Sequence, residues 1–253
     1  MTQFLLVLCG IPASGKTTLA EQLVKALHSD YDVELVSTDY WRDAVYYSEF
    51  KPENERIVRA NALQKTRELL SGGHSVVHDD SNYYASMRHE LYSLATEQGC
   101  AFGVIHISTP ANVALKWNLQ RSQPVPTEVV HQISERFDVP GSKYSWDRPI
   151  ASLDMSAIGP EESIREIRLI IPKLTPIVSD IGSSPSTSEK YDKYTRDIVC
   201  VFLERKPALQ NDPEVSRIRK DVLRQAIKHE QPMSIVRTTL LERLERLVTG
   251  VEK

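Results

Sequence analysis

Short apolar runs alternate with helically spaced apolar positions along the first two thirds of the chain. The run Phe4–Cys9 precedes a glycine-containing loop, after which Leu19, Leu23 and Leu27 recur at the spacing of one helix face. Further apolar runs lie at residues 33–37, 75–80, 101–107 and 150–153, and helical patterns lie at residues 53–71, 110–121, 125–137 and 161–171, with another ending at Glu97. Strand, helix and strand at this spacing predict an α/β fold in which a parallel sheet is flanked by helices.

The last quarter of the chain has a different pattern. Residues 179–189 are rich in serine and include glycine and proline, a composition typical of a linker. Helical periodicity then returns at residues 191–205, 213–230 and 233–248. We therefore predict a first domain at residues 1–178, a linker at 179–189 and a small all-α domain at 190–253.

Composition limits the class of protein. The chain has 253 residues, of which 41% are hydrophobic and 26% charged, as in globular proteins that bury a core. No apolar run approaches the ~20 residues of a membrane span, so no membrane partner is expected. Cys9, Cys100 and Cys200 are far apart and odd in number, which argues against a disulfide framework and favours a cytoplasmic location.

The loop after the first apolar run carries a nucleotide-binding motif. It matches G-x-x-x-x-G-K-[ST] completely, and it lies between a predicted strand and a predicted helix. Lys16 is expected to reach the β- and γ-phosphates of ATP, and the Thr17 hydroxyl is expected to ligate Mg²⁺. The residues expected to contact the nucleotide along the loop are Gly10, Pro12, Ala13, Ser14, Gly15, Lys16, Thr17 and Thr18. The motif therefore predicts a P-loop kinase domain with ATP and Mg²⁺ as cofactors.

Acidic residues follow the second and third predicted strands. The carboxyl ends of parallel strands meet at one edge of a sheet, where ligands of open α/β folds bind. Asp39, after the second strand, is therefore a candidate catalytic base, with a helix N-cap as the alternative. Arg42 would face the same way if a helix begins there. An acidic residue that ends an apolar strand is the usual second Mg²⁺ element in such folds, and either Asp79 or Asp80 fits.

Basic residues on the helix predicted at residues 110–121 face the phosphate side in such folds. Lys116 and Arg121 are the candidates, and Arg121 is expected to neutralise charge on the transferred phosphoryl group together with Lys16. The alternative for Arg121 is a place on a solvated helix face.

Charge is unevenly divided along the chain. Residues 190–253 carry 14 Lys and Arg against 10 Asp and Glu, whereas the residues before them carry 17 against 24. On the second tail helix, a basic stripe lies roughly opposite an apolar stripe. Its members are Arg217, Lys220, Arg224 and Lys228. The stripe predicts contact with a nucleic-acid backbone, with the charged outer face of a small bundle as the alternative.

Several segments together resemble one known family, the O-phosphoseryl-tRNA(Sec) kinases of archaea and eukaryotes. The phosphate loop is shared by many kinases and ATPases, whereas the stretch D-D-S-N-Y-Y-A-S-M-R at residues 79–88 is much more specific. The other matching segments are residues 37–42, 125–140, 146–147, 192–199 and 217–223. The resemblance covers nearly the whole chain.

The resemblance implies transfer of phosphate from ATP to the seryl group of Ser-tRNA(Sec), with Mg²⁺. It further implies that the helical tail grips the tRNA, that the protein is a homodimer, and that Tyr83, Met87 and Arg88 contact the substrate. One departure concerns the helix at residues 110–121, where the family usually carries an R-x-x-x-R pair. Here Trp117 stands at the first arginine position, with Lys116 beside it, and Lys lacks the bidentate fork of Arg.

Two other functions remain open from the sequence. The Elongator-associated P-loop ATPase has a related architecture and hydrolyses ATP in response to tRNA without phosphorylating a substrate, but its relatives usually carry a long insertion where this chain is short. A 5′-hydroxyl polynucleotide kinase is the third possibility, because the pattern Asp39-x-x-Arg42 also occurs there.

Overall fold

Five apolar runs form strands in the computed structural model, which describes residues 2–42, 52–177, 187–210 and 212–249. The strands are β1 (Phe4–Cys9), β2 (Val33–Ser37), β3 (Ser75–Asp79), β4 (Ala101–Ile107) and β5 (Pro149–Leu153). They pair in the order β2-β3-β1-β4-β5, and every pairing is parallel. The central strand β1 is buried at all six positions, because β3 and β4 flank its edges and helices cover both faces of the sheet.

Nine α-helices connect and follow the strands in the described part of the chain. They are α1 (Lys16–Leu27), α2 (Pro52–Ser71), α3 (Ala85–Gln98), α4 (Ala111–Asn118), α5 (Thr127–Arg136), α6 (Pro160–Ile170), α7 (Thr187–Arg205), α8 (Pro213–His229) and α9 (Met233–Thr249). Short 3₁₀ turns lie at Thr38–Trp41, Ile171–Lys173 and Pro207–Leu209. The predicted class, a parallel sheet flanked by helices with further helices at the C-terminus, is confirmed.

Alternate residues of β1 build the two sides of the core. Leu6 and Leu8 belong to a cluster with the apolar face of α1 and with residues of β4, β5 and α6. Leu5 and Val7 point to the opposite side, where they belong to a cluster with residues of α2 and α3. The sheet is therefore the middle of three layers, and its carboxyl edge is left for the loops that follow each strand.

The chain divides into two compact units, Met1–Ser179 and Asp180–Lys253. The second unit packs α7, α8 and α9 around its own core, which includes Val222, Leu240 and Leu244. Of the linker predicted at residues 179–189, residues 179–186 lie outside the described residues. None of the helices in the described part of the chain combines the length and hydrophobicity that a bilayer span requires.

We expect Leu23→Ala to lower the free energy of unfolding of the first unit by about 2–5 kcal/mol, because it leaves a cavity in the core. Leu23 is fully buried on α1, inside the cluster against which Trp117 packs. Urea unfolding followed by tryptophan fluorescence measures the change. The matched control is Leu169→Ala on α6, whose side chain is 67% exposed and should cost no more than about 0.5 kcal/mol. Equal costs for both variants would contradict this arrangement of the core.

Candidate active site

The loop after β1 has the conformation of an anion cradle. Ala13 has a φ of +60° and Gly15 a φ of +99°, and α1 begins immediately after Gly15. Left-handed residues in such a loop turn successive backbone N–H groups toward one point, and the helix N-terminus adds its dipole there. A Cβ on Gly10 would lie 2.7 Å from the Ile107 backbone oxygen, so only glycine fits where β1 enters the loop.

Lys16 folds back over this loop. Its ammonium lies 2.7 Å from the Ile11 backbone oxygen and 3.1 Å from that of Gly10, and the residue is only 8% exposed. Burial lowers the pKa of Lys16, while the carboxylates of Asp79 and Asp80 act in the opposite direction. The ammonium is thus held at the loop mouth by carbonyl groups, a position from which it can reach a bound phosphate.

Two buried polar atoms in the described part of the chain lack a hydrogen-bond partner, and both belong to this site. They are the Ser14 hydroxyl and Oδ1 of Asp79. The other oxygen of Asp79 accepts a 3.0 Å hydrogen bond from Ser37, and burial raises the pKa of the carboxyl against the effect of Lys16 and the neighbouring Thr17 hydroxyl. An unpartnered buried carboxylate oxygen close to a hydroxyl suits a hard cation such as Mg²⁺.

The rest of the donor set also fits such an ion. In the described part of the chain, no group of three or more His, Cys, Asp and Glu side chains is arranged to hold a metal by itself. Mg²⁺ is commonly bound by one or two protein oxygens, phosphates and waters, so the Thr17 hydroxyl and Asp79 meet its needs only together with a nucleotide.

Asp80 lies beside Asp79 but has different partners. Its Oδ1 accepts a 3.1 Å hydrogen bond from Thr38 and lies 3.6 Å from Nη2 of Arg42. Burial alone would raise the pKa of Asp80, but Arg42 and Arg59 lower it on balance. Of these two candidates for Mg²⁺, both within the described residues, Asp79 alone has a buried oxygen without a hydrogen-bond partner, which favours it over Asp80.

Asp39 lies on the 3₁₀ turn after β2, and Arg42 turns back onto it. Arg42 Nη1 donates to Asp39 Oδ1 at 2.7 Å, and the Asp39 side chain is 40% exposed. The same guanidinium donates to Glu55, at 2.6 Å from Nη2 to Oε1 and 3.4 Å from Nε to Oε2. Sequence reasoning missed Glu55, because a single acidic residue 13 positions away on another helix gives no local signal.

The loop after β3 is tied directly to the loop after β1. The Gly10 backbone N–H donates to the Ser81 oxygen at 3.0 Å, and the Asn82 side chain donates to the Leu8 oxygen at 2.8 Å. Asn82 has a φ of +41°, a left-handed conformation that Asn tolerates better than most residues. These bonds fix Asp79 and Asp80 in place relative to the phosphate loop.

Arg88, which the resemblance places in contact with the substrate, is fully buried in this structure. The side chain is fully buried and pairs with Asp147, 2.7 Å from its Nη2, while it donates to the backbone oxygens of Asn82 and Asp138 at 2.8 Å each. Its guanidinium N–H groups donate to partners inside the protein. Arg88 therefore joins the loop after β3 to the segment after α5.

Tyr83 and Met87, also expected to contact the substrate, are half-buried around the start of α3. The rings of Tyr83 and Tyr84 lie 4.2 Å apart, and burial raises the pKa of Tyr83 to about 12. The Tyr83 backbone oxygen accepts from the Asp138 N–H at 2.8 Å. Both side chains thus retain some access to solvent, unlike Arg88.

Helix α4 is shorter than predicted and ends at Asn118. The Asn118 side chain donates to the Val125 oxygen at 2.6 Å and accepts from the Val125 N–H at 3.0 Å, so it closes the loop that follows. Arg121 consequently lies in that loop rather than on the helix, and both Arg121 and Lys116 are exposed. The ring of Trp117 packs against the core beside the phosphate loop, where a Cβ on Gly15 would lie 3.7 Å from it.

In the second unit, α8 presents the two opposed stripes that its sequence predicted. Its apolar stripe is buried and consists of Val215, Ile218, Val222 and Ala226. All four basic residues are exposed, namely Arg217, Lys220, Arg224 and Lys228. Within the stripe, Arg217 lies 3.1 Å from Glu214 and Arg224 lies 3.3 Å from Asp221, both at the surface, where such pairs are weak.

Comparison with known proteins places these features in a family. The family model described as "Chromatin associated protein KTI12" matches residues 4–248. The L-seryl-tRNA(Sec) kinase of Methanococcus maripaludis is 32% identical over 241 residues, which cover 89% of this chain and 91% of that protein. The protein kti12 of Schizosaccharomyces pombe is 26% identical over 255 residues, covering 96% and 88%.

Solved structures share the fold of the first unit. The Kti12 structure from Chaetomium thermophilum in complex with ADP-AlF3 is similar with a TM-score of 0.50 at 20% identity, covering 65% of this chain and 97% of that one. The APS kinase CysC of Mycobacterium tuberculosis, in complex with AMPPNP and APS, gives 0.52 at 15% identity, covering 68% and 98%. At these identities the likeness establishes the kinase fold alone.

We expect Asp147→Asn to lower the free energy of unfolding of the first unit by about 3–5 kcal/mol, because it leaves the buried Arg88 charge uncompensated. Urea unfolding followed by tryptophan fluorescence measures this. The matched control is Glu162→Gln, which breaks the exposed 2.7 Å pair with Arg165 and should cost at most about 1 kcal/mol. Equal small losses would show that Arg88 does not depend on Asp147.

Proposed function

The chain belongs to the KTI12 family, and within it we propose that this protein is an ATP-dependent kinase that phosphorylates the seryl group of Ser-tRNA(Sec). The observation that carries the reaction type is the Asp39 carboxylate, 40% exposed and paired with Arg42 on the turn after β2. A carboxylate there is not needed to hold ATP, but it can orient an acceptor hydroxyl and take its proton. The 32% identity with the archaeal L-seryl-tRNA(Sec) kinase, across 91% of that protein, supports a seryl acceptor.

The proposed reaction is an in-line displacement. The seryl oxygen forms a bond to the γ-phosphorus of ATP, the bond from that phosphorus to the β,γ-bridging oxygen breaks, ADP leaves, and the seryl proton passes to Asp39. Lys16, buried at the loop mouth, and the exposed Arg121 neutralise charge on the transferred group. The Thr17 hydroxyl and Asp79 would hold Mg²⁺, which would supply further charge neutralisation.

The second candidate is a tRNA-dependent ATPase. It is favoured by the KTI12 name of the matching family model and by the fission yeast relative, which covers 96% of this chain. The same site would serve it, with Asp39 orienting a water molecule in place of the seryl hydroxyl. The two candidates therefore differ in what occupies the acceptor position. The proposed cytoplasmic location is common to both, whereas the proposed homodimer follows from the resemblance to the kinases.

Transfer of label from γ-labelled ATP separates the candidates. We would compare Ser-tRNA(Sec), Ser-tRNA(Ser), free serine and RNA with a 5′-hydroxyl as acceptors, with Lys16→Ala as the background. Label on the amino acid of Ser-tRNA(Sec) alone supports the kinase. Phosphate release stimulated by tRNA without a labelled acceptor supports the ATPase, and label on the RNA end would support a polynucleotide kinase.

We expect Asp39→Asn to lower kcat by about 10²–10⁴-fold, because it removes the proton acceptor while it keeps the size of the side chain. The KM for ATP should stay within about twofold, since the change removes no contact of the phosphate loop. Steady-state transfer kinetics measure both values. A large rise in the KM for ATP with an unchanged kcat would make Asp39 a nucleotide ligand instead.

We expect replacement of Arg224 and Lys228 together by Gln to weaken tRNA binding and to flatten its dependence on salt. Each lost phosphate contact should reduce the slope of log K against log salt by about 0.9. Binding measured at several salt concentrations gives the slope, and ATP hydrolysis without tRNA should not change. The matched control is Arg165→Gln with Lys173→Gln, two exposed residues of the first unit. An unchanged affinity and slope in the α8 variant would make the stripe a solvated surface.

A further inference from the structure

We propose that Glu55 is a positioning residue, which fixes the Asp39 carboxylate for its reaction by holding Arg42. The inference rests on the role of Asp39 proposed above. It concerns a residue on α2, a different element from the turn that carries Asp39, and it makes the geometry of the acceptor site depend on the packing of that helix.

Few side-chain contacts among the described residues orient the Asp39 carboxylate. In the described part of the chain, Arg42 is the only side chain that donates a hydrogen bond to its carboxylate, at 2.7 Å. The Asp39 side chain is 40% exposed, so the protein encloses its carboxylate only in part. The direction in which Asp39 points is therefore set by the position of the Arg42 guanidinium.

Glu55 in turn sets the plane of that guanidinium. Its two oxygens accept from Nη2 at 2.6 Å and from Nε at 3.4 Å, along one side of the planar group. The opposite side then presents Nη1 to Asp39 at 2.7 Å and to Thr38 at 3.0 Å. Because the guanidinium is rigid, fixing two of its nitrogens on Glu55 determines where the third one points.

The charges around Arg42 explain why Glu55 is needed to keep the guanidinium on Asp39. Among the described residues, the carboxylates of Asp39, Glu55 and Asp80 lie around this guanidinium, and that of Asp80 is 3.6 Å away with its side chain only 5% exposed. Attraction to a buried carboxylate is screened less than attraction to an exposed one. Without the Glu55 charge, Arg42 is expected to turn toward Asp80 and to release Asp39.

The test is a double-mutant cycle with Glu55→Gln and Asp39→Asn. Glu55→Gln keeps the length of the side chain but removes its charge, and we expect it to lower kcat by about 10- to 100-fold, on the scale of a small misplacement of a catalytic group. The KM for ATP should change by less than about twofold. In the Asp39→Asn background the same change should have almost no further effect, because Glu55 acts through Asp39.

The matched control is Glu97→Gln. Glu97 lies 2.5 Å from Arg67, an exposed pair that also joins α2 to a neighbour but lies near the other end of the helix. This variant should leave kcat unchanged. Melting temperatures are measured for every variant. Should Glu55→Gln not fold, Glu55→Asp takes its place in the cycle, with a smaller fall in kcat expected because it keeps the charge at a greater distance.

The test of Glu55 does not depend on which acceptor the protein uses. If the wild-type protein transfers no phosphate to Ser-tRNA(Sec), the cycle is run on tRNA-stimulated phosphate release, where Asp39 would orient water. A fall in kcat that disappears in the Asp39→Asn background supports the proposal in either assay. An unchanged kcat, or losses that multiply fully in the double variant, would overturn it.

Discussion

The hydrogen bonds between the loops after β1 and β3 are the contact on which the site depends. The Gly10 N–H donates to the Ser81 oxygen, and the Asn82 side chain donates to the Leu8 oxygen. β1 and β3 are neighbours in a parallel sheet, so both loops leave from the same edge. The phosphate loop and the carboxylates that end β3 thus form one rigid corner, with the buried Arg88 behind it.

The charges of the site are arranged around two cations. Lys16 faces the carboxylates at the end of β3, and Arg42 faces Asp39, Glu55 and Asp80. Burial makes an uncompensated charge costly, so each of these cations lies beside carboxylates that compensate its charge. A site with this excess of carboxylates suits chemistry in which a divalent cation accompanies the phosphates, which is consistent with a kinase or an ATPase.

The sequence predicted local features well, because strands and helices follow from periodicity and the phosphate loop follows from a contiguous motif. It predicted the helix at residues 110–121 too long, since the pairing of Asn118 with Val125 is a side-chain contact that periodicity does not record. The burial of Arg88 was not predicted for a similar reason. Its partner Asp147 is 59 positions away, and only the folded chain shows that an arginine in a distinctive motif is buried. The contact of Glu55 was not predicted, because its partner Arg42 belongs to another element.

The central claim is that the acceptor of the γ-phosphate is the seryl hydroxyl and not water. Its most direct test is a single turnover with enzyme in excess over γ-labelled ATP, in the presence of Ser-tRNA(Sec) or of the same tRNA carrying alanine. After hydrolysis of the aminoacyl ester, we expect the label from the seryl form to be recovered as O-phosphoserine. The alanyl form, which lacks the hydroxyl, should yield no labelled amino acid. Recovery of the label as inorganic phosphate in equal amounts from both forms would contradict a seryl acceptor.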